Sequence, residues 1–319
     1  MIFNKRVAVI IPVYNVGSKA IEVINNIPDF VDKIYLVDDC CPLKTGELVE
    51  KHFTNITKLK VIYNSKNLGV GGAVKIGYVE SLKNNFDFTV KIDGDGQMNP
   101  IDIIKLIEPL QNNYEYTKGN RFLDRIEFEH YPIVRFYGNI FLSFLSKLST
   151  GYWDIFDPIN GFTCIKNSIL KKINLQKVSD GYFFETDMLC NIYFLNGKVL
   201  DVPVKIKYYS NQIQNMSVLR ETFNFFFKNI SKIRKRIRLK YLSNNFTIGG
   251  FYIILTLIFF FSSLLIGGFN WIKYGLLLNV LAPTGIVLFS ILSFFFSIIF
   301  FGFFIYFDTK NNPNIYKNL

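Results

Sequence analysis

Over the first 120 residues, short apolar runs alternate with segments of helical spacing. Residues 7–11, 34–37, 59–63 and 88–92 have the length and β-branched content of strands. The stretches near 18–29, 45–53, 71–83 and 100–111 space their apolar residues as helices do. This βαβα order implies a mainly parallel sheet covered on both faces, with ligands received at the carboxyl ends of its strands. Those ends carry Tyr14 and Asn15, Asp38 and Asp39, residues 67–72, and residues 93–97. Any one of these groups would also serve a plain turn; four in succession direct attention to one edge of the sheet.

The pattern then changes. Residues 221–242 place Phe223, Phe227, Ile230, Ile233, Ile237 and Tyr241 three and four apart. Lys228, Lys232, Arg234, Lys235, Arg236 and Arg238 lie largely between them. This is the pattern of a basic amphipathic helix suited to a membrane surface, or of a solvated helix packed on its own domain. Residues 241–272 and 274–307 contain no charged side chain. Two spans are expected near 247–269 and 281–306, each longer than the roughly 20 residues that cross about 30 Å of hydrocarbon. They form a hairpin, with Trp271 and Tyr274 at the far interface. Positive charge on both outer flanks places both termini in the cytoplasm. Neither span contains an ionisable residue, so an anchoring role is expected over an ion pathway.

Composition refines this picture in three respects. Half of the 319 residues are hydrophobic and the formal charge is +11. Residues 221–245 hold seven Lys or Arg against one Glu, so the excess points to lipid headgroups and not to nucleic acid. Cys40, Cys41, Cys164 and Cys190 have no CxxC spacing and read as reduced. With His52 and His130 the only histidines, zinc sites and histidine triads are poorly supplied. Residues 7–12 after Lys5 and Arg6 are too short an apolar run for a signal peptide, so a cytoplasmic amino-terminal domain is expected.

The segment Lys91-Ile92-Asp93-Gly94-Asp95-Gly96-Gln97 sets two carboxylates two apart on a glycine-rich turn. Asp93, Asp95 and the Gln97 carbonyl supply hard oxygen donors for Mg²⁺ or Mn²⁺, which bridges a nucleoside diphosphate. An EF-hand is excluded because no glutamate stands at the twelfth position; a structural Asp-Gly turn is the alternative. Residues 69–72 approach a dinucleotide fingerprint, but Val74 stands where its third glycine belongs.

Taken in order, these motifs resemble the family 2 glycosyltransferases of GT-A fold, in particular the polyprenyl-phosphate glycosyltransferases of the dolichol-phosphate mannosyltransferase type. Pro12-Val13-Tyr14-Asn15 is similar to the family's P-x-Y-N, Val37-Asp38-Asp39 to its V-D-D, and residues 67–71 to its N-x-G-x-G. Asp93, Asp95 and Gln97 match D-x-D-x-Q. The resemblance implies nucleotide binding by Pro12, Tyr14, Asn15, Asp38, Asp39, Asn67, Gly69 and Asp93. Cys40-Cys41-Pro42 departs from the small residue and serine usual after V-D-D. Gly119-Asn120-Arg121 resembles G-S-R; Arg121, with Arg135 and Asn139, is implied to bind an acceptor phosphate, a task suited to guanidinium. Residues 157–162 resemble D-x-x-S-G-F, and residues 184–187 resemble F-x-x-E, which implies sugar contacts from Asp157, Asn160, Gly161 and Glu185. Of the late R-x-x-G-x-S-K only Ser217 carries over, with Arg220 nearby as a substitute.

The resemblance thus implies a GT-A domain over residues 1–220, a juxtamembrane helix over 221–245, two spans within 246–307 and a cytoplasmic tail over 308–319. The implied enzyme is a multi-pass protein of the inner membrane, a homo-oligomer through its spans, using Mg²⁺ or Mn²⁺. It moves a hexose from a UDP- or GDP-linked donor to polyprenyl phosphate, with Asp95, Arg121 and Arg135 as the catalytic set. Two alternatives stand beside it. One is a family 2 transferase acting on a glycan, although Q-x-x-R-W is missing. The other is a non-catalytic membrane scaffold, which does not account for Asp93, Asp95 and Gln97 together.

Overall fold

The computed structural model describes residues 4–54, 56–121, 133–205, 218–243 and 246–316, and the chain divides into two compact units, Met1–Ile230 and Ser231–Leu319. In chain order the first unit holds β1 (Val7–Val13), α1 (Lys19–Asn25), β2 (Lys33–Asp38), α2 (Thr45–His52), β3 (Leu59–Tyr63), α3 (Val70–Lys83) and β4 (Phe88–Lys91). Then follow α4 (Ile103–Gln111), β5 (Tyr116–Asn120), α5 (Ile133–Thr150), β6 (Thr163–Lys166), α6 (Asn167–Leu170), α7 (Phe184–Phe194), β7 (Val199–Pro203) and α8 (Val218–Ile237), whose last turns belong to the second unit.

Among the described residues the strands form one sheet in the order β3-β2-β1-β4-β6-β5-β7. β3, β2, β1 and β4 are parallel, as the alternation of elements implies, and β5 pairs parallel with β7. Only β6 runs against its neighbours. Because side chains alternate along a strand, Val7, Val9, Ile11 and Val13 of β1 pack with Val23 and Ile24 of α1 and Leu106 and Leu110 of α4. Ala8 and Ile10 face the opposite layer, with Val74 and Tyr78 of α3 and Met188 and Ile192 of α7. Both faces of β1 are therefore dry, which is why its sequence is continuously apolar.

The second unit continues α8 through wide helical turns at Arg238–Ser243 and then forms α9 (Ile248–Asn270), α10 (Thr284–Lys310) and α11 (Pro313–Tyr316). Thr247 caps α9, its hydroxyl accepting from the Gly250 amide at 3.3 Å. Winding continues past α9 through Trp271–Leu277, so Lys273, Trp271 and Tyr274 lie on helix and not in a connecting loop. Winding stops at Leu277, just before Asn279 takes a left-handed φ of +51°. α9 and α10 pack on each other through Phe259, which meets Phe296 and Phe300 at 5.4 and 5.6 Å, and through Ser263 Oγ donating to the Ser290 carbonyl at 2.8 Å. The helical stretches Ile248–Leu277 and Thr284–Lys310 each contain an 18-residue segment of mean hydropathy 2.2 and 2.6, and are long and apolar enough to cross a membrane.

On α8 the stripe through Phe223 and Phe227 is exposed, while Phe225 and Asn229 are buried. Phe225 meets Phe183 edge-on, and Asn229 accepts from Ser149 of α5 at 2.6 Å, so the packed face lies beside the apolar stripe. Arg236, expected on the polar face, is buried. Its guanidinium donates twice to Asp308, at 2.8 Å each, and the Tyr241 hydroxyl donates to the same carboxylate.

Candidate active site

The carboxyl ends of β1, β2 and β4 open onto a cavity of about 490 Å³ in the first unit, where the strand order predicts a ligand. Pro12 and Tyr14 leave β1 on one side of it. Asp39 leaves β2, and Asn67 and Gly69 lead into α3. Asp93 and Asp95 follow β4, while Gly161 and Glu185 arrive from the far half of the fold. Nine of the sequence-singled residues thus meet around one space, although they are spread over more than half the chain.

Asp38 and Asp39 are adjacent but perform different work. Asp38 is buried and accepts from the Cys41 and Gly46 amides, both at 2.7 Å, which shapes the loop into α2. It does not line the cavity, and both of its carboxylate oxygens are held by that loop's backbone. Asp39 lines the cavity and organises its wall, accepting from Asn64 at 2.7 Å and from the Leu68 and Gly69 amides at 2.9 and 2.8 Å. The glycines after Asn67 serve close packing. Gly69 has φ +82°, and a Cβ there or at Gly71 would press into the backbone of residues 179–180, whose Asp180 carbonyl receives the Gly72 amide at 2.9 Å.

At the end of β4 the Asp95 carboxylate accepts from the Gln97 amide at 3.1 Å, a local turn bond that fixes its direction. Burial, and next the negative charge of Asp93, push its pKa up. Asp93 pairs with the ammonium of Lys91 at 2.9 Å, and Lys91 pairs with Glu185 at 2.6 Å. Burial alone would lower the Lys91 pKa, but Asp93 and Glu185 together hold it above its ordinary value. Gly161 lies directly against this group, where a Cβ would strike both the Lys91 ammonium and the Asp93 carboxylate.

The donor set suits a hard divalent cation. Two carboxylates two residues apart face one cavity, and Asp93 raises the cost of ionising Asp95, a cost that a bound cation lowers. Among the described residues no cluster of three His, Cys, Asp or Glu side chains is placed to hold a metal. The fit is therefore to an ion that takes one or two carboxylates from the protein and completes its shell with phosphate and water, as Mg²⁺ does. Gln97, expected as a third donor, does not line the cavity.

The remaining expected residues lie elsewhere. Arg121 makes a bidentate pair with buried Asp157, at 2.6 and 2.9 Å, so the residues assigned separately to phosphate and to sugar are partners. Asn160 accepts from the Phe162 amide at 2.9 Å and closes its own turn, and Lys118 donates to the Asn160 carbonyl. Burial lowers the Lys118 pKa to about 8. Asn15 donates its amide to Cys41 Sγ at 3.2 Å, outside the cavity lining. Arg135 and Asn139 lie on α5, in the part where only the backbone is described, and Ser217 falls outside the described residues. Lys91, Tyr182 and Gly181 line the cavity without having been singled out. A lysine inside the apolar run 88–92 was the one available signal for Lys91.

The profile of glycosyl transferase family 2 matches residues 8–174. The UDP-N-acetylglucosamine--dolichyl-phosphate N-acetylglucosaminyltransferase of Methanococcus voltae is 29% identical over 219 residues, 64% of this chain and 87% of the relative. The polyprenol monophosphomannose synthase of Mycolicibacterium smegmatis is 24% identical over 205 residues, 63% of this chain and 77% of the relative. Among solved structures, glucosyl-3-phosphoglycerate synthase from Mycobacterium tuberculosis, in complex with Mn²⁺, uridine-diphosphate and glucosyl-3-phosphoglycerate, superposes with a TM-score of 0.53. The identity is 16% over 73% of this chain and 80% of that chain, a likeness of fold. The α/β architecture is that of the GT-A group.

Proposed function

The chain belongs to glycosyl transferase family 2, and on that premise we propose that it moves a sugar from a nucleoside-diphosphate sugar to a polyprenyl phosphate, giving a lipid-linked sugar. The observation that carries this reading is the cavity at the carboxyl ends of β1, β2 and β4, where Asp93 and Asp95 stand together with Asp39. The acceptor class is supported by relatives named for dolichyl and polyprenyl phosphates.

In this reading Pro12, Tyr14, Asp39 and Asn67 border the nucleoside, and Gly161 and Glu185 border the sugar. Asp93 and Asp95 would hold Mg²⁺ or Mn²⁺, which would supply positive charge against the departing diphosphate. The acceptor phosphate oxygen forms a bond to the anomeric carbon as the bond from that carbon to the diphosphate oxygen breaks, and the electron pair leaves with the nucleoside diphosphate. The attacking group is already an anion, so no side chain must remove a proton, and direct displacement inverts the anomeric configuration. Arg121, kept in orientation by Asp157, receives the acceptor phosphate together with Arg135, Asn139 and Ser217. α9 and α10 anchor the chain in the bilayer with both termini on the cytoplasmic side, where nucleotide sugars are found.

The test is direct. Detergent-solubilised full-length protein is incubated with Mn²⁺ or Mg²⁺, undecaprenyl or dolichyl phosphate and a panel of labelled UDP- and GDP-sugars, and label entering the organic phase is counted. One donor labelling the lipid is the expected result. Label that enters only an added glycan would replace this reading with the glycan-acceptor one.

A further inference from the structure

Lys91 stands on β4 near the centre of the sheet and is 1% exposed, in a strand that would gain from an apolar residue there. Its charge is met by two carboxylates from distant parts of the chain, Asp93 at 2.9 Å and Glu185 at 2.6 Å, and all three side chains line the cavity. The two aspartates of the turn are held in different ways. Asp95 is oriented locally by the Gln97 amide, whereas Asp93, next to Gly94, is held by an ammonium reaching along the strand from Lys91. Gly161 closes over one side of that contact, so close that a Cβ there would strike both groups.

We propose that Lys91 is a positioning residue: it fixes the Asp93 carboxylate beside Asp95 for a divalent cation and its diphosphate, and ties that end of the cavity to Glu185 on α7. This rests on the metal-assisted reading above. Without Lys91, Asp93 and Glu185 face each other as two carboxylates with nothing between them, and Asp93 swings toward solvent, to which it is already 31% exposed. A plain counter-ion for buried Glu185 makes a different prediction. In that role Lys91 becomes dispensable once Glu185 is neutral, because the charge it balances has gone.

The experiment compares the full-length protein in detergent with Glu185→Gln, Lys91→Met and the double variant Lys91→Met/Glu185→Gln. Mn²⁺ binding is read from the free-ion EPR signal, first with Mn²⁺ alone and then with UDP or GDP added, and thermal unfolding is followed in parallel. The double variant is expected to unfold near the wild-type temperature yet to bind Mn²⁺ at least ~10-fold more weakly, whereas Glu185→Gln alone stays within ~3-fold of wild type. A double variant that folds and binds Mn²⁺ like the wild type would overturn the proposal and leave Lys91 as a counter-ion. A double variant that does not fold assigns Lys91 to the fold and overturns it equally. Wild-type protein that binds no Mn²⁺ with either nucleotide would instead remove the metal-assisted reading itself, and this proposal with it.

Discussion

Lys91 with Asp93 and Glu185 in the first unit, and Arg236 with Asp308 and Tyr241 in the second, are both buried ion clusters, and they are finished differently. Arg236 and Asp308 are almost completely buried. Both carboxylate oxygens receive guanidinium N–H groups, the Tyr241 hydroxyl adds a third bond, and the Phe304 ring stands edge-on to Tyr241. Such a cluster is enclosed, with three donors on one buried carboxylate. In the first, Lys91 and Glu185 are buried in the wall of the cavity while Asp93, the more exposed of the three, opens into it. The same chemistry, a buried cation with carboxylates, serves as a clasp when the carboxylate is enclosed by its donors and as a site when one carboxylate faces a space.

Breaking the clasp has the largest expected effect. Arg236→Met leaves Asp308 buried without its main partner and is expected to destabilise the helical unit by about 3–5 kcal/mol. The double variant Arg236→Met/Asp308→Asn recovers most of that loss, read as apparent unfolding temperature in detergent. At the open cluster stability is expected to hold and activity to fall. Asp95→Asn is expected to reduce sugar transfer at least ~100-fold, about 2.7 kcal/mol of barrier, while unfolding within a few degrees of wild type. Gly161→Ala pushes a methyl group against Lys91 and Asp93, and about a 10-fold loss of transfer is expected, about 1.4 kcal/mol. A Gly161→Ala protein as active as wild type would show that Asp93 is free to move.

Asp201 falls between the two clusters. Its Oδ2 accepts from the Asn120 side chain and the Phe156 amide, while Oδ1 is buried with no partner among the described residues. Burial pushes its pKa up from 3.8 to about 6. Because the folded state holds the proton more tightly, this contribution to stability is complete below the ordinary carboxylate value and is lost as pH rises through about 6. Asp201→Asn should flatten the stability profile between those limits. At pH 7 it should gain about 1 kcal/mol over wild type, less than two full pKa units imply because the residue keeps some solvent contact. Unfolding temperatures across the range check it.

Much of the catalytic unit was legible in the sequence, because its strands are dry on both faces and its helices carry regular apolar faces. The strand ends then gathered Tyr14, Asp39, Asn67, Asp93 and Asp95 by topology alone. What stayed hidden was pairing across long separations. Lys91 finds Glu185 and Arg121 finds Asp157 only because β6 inserts between β4 and β5 and brings the later segments to the same edge. Asp38 illustrates the opposite limit. A carboxylate next to one that lines the cavity was given the same role, although backbone amides of the following loop claim it. On α8 the spacing identified an apolar stripe but not the neighbouring face on which the helix packs, since a polar Asn229 and a charged Arg236 occupy that face.

The account depends most on the acceptor, and release of nucleoside diphosphate from the preferred nucleotide sugar tests it most directly. The release is measured for the full-length protein with Mn²⁺, with and without polyprenyl phosphate. At least ~10-fold faster release with the lipid, matched by label in the organic phase, is the predicted result. Release that ignores the lipid and rises only with a soluble phosphate such as 3-phosphoglycerate, or with a glycan, would contradict it.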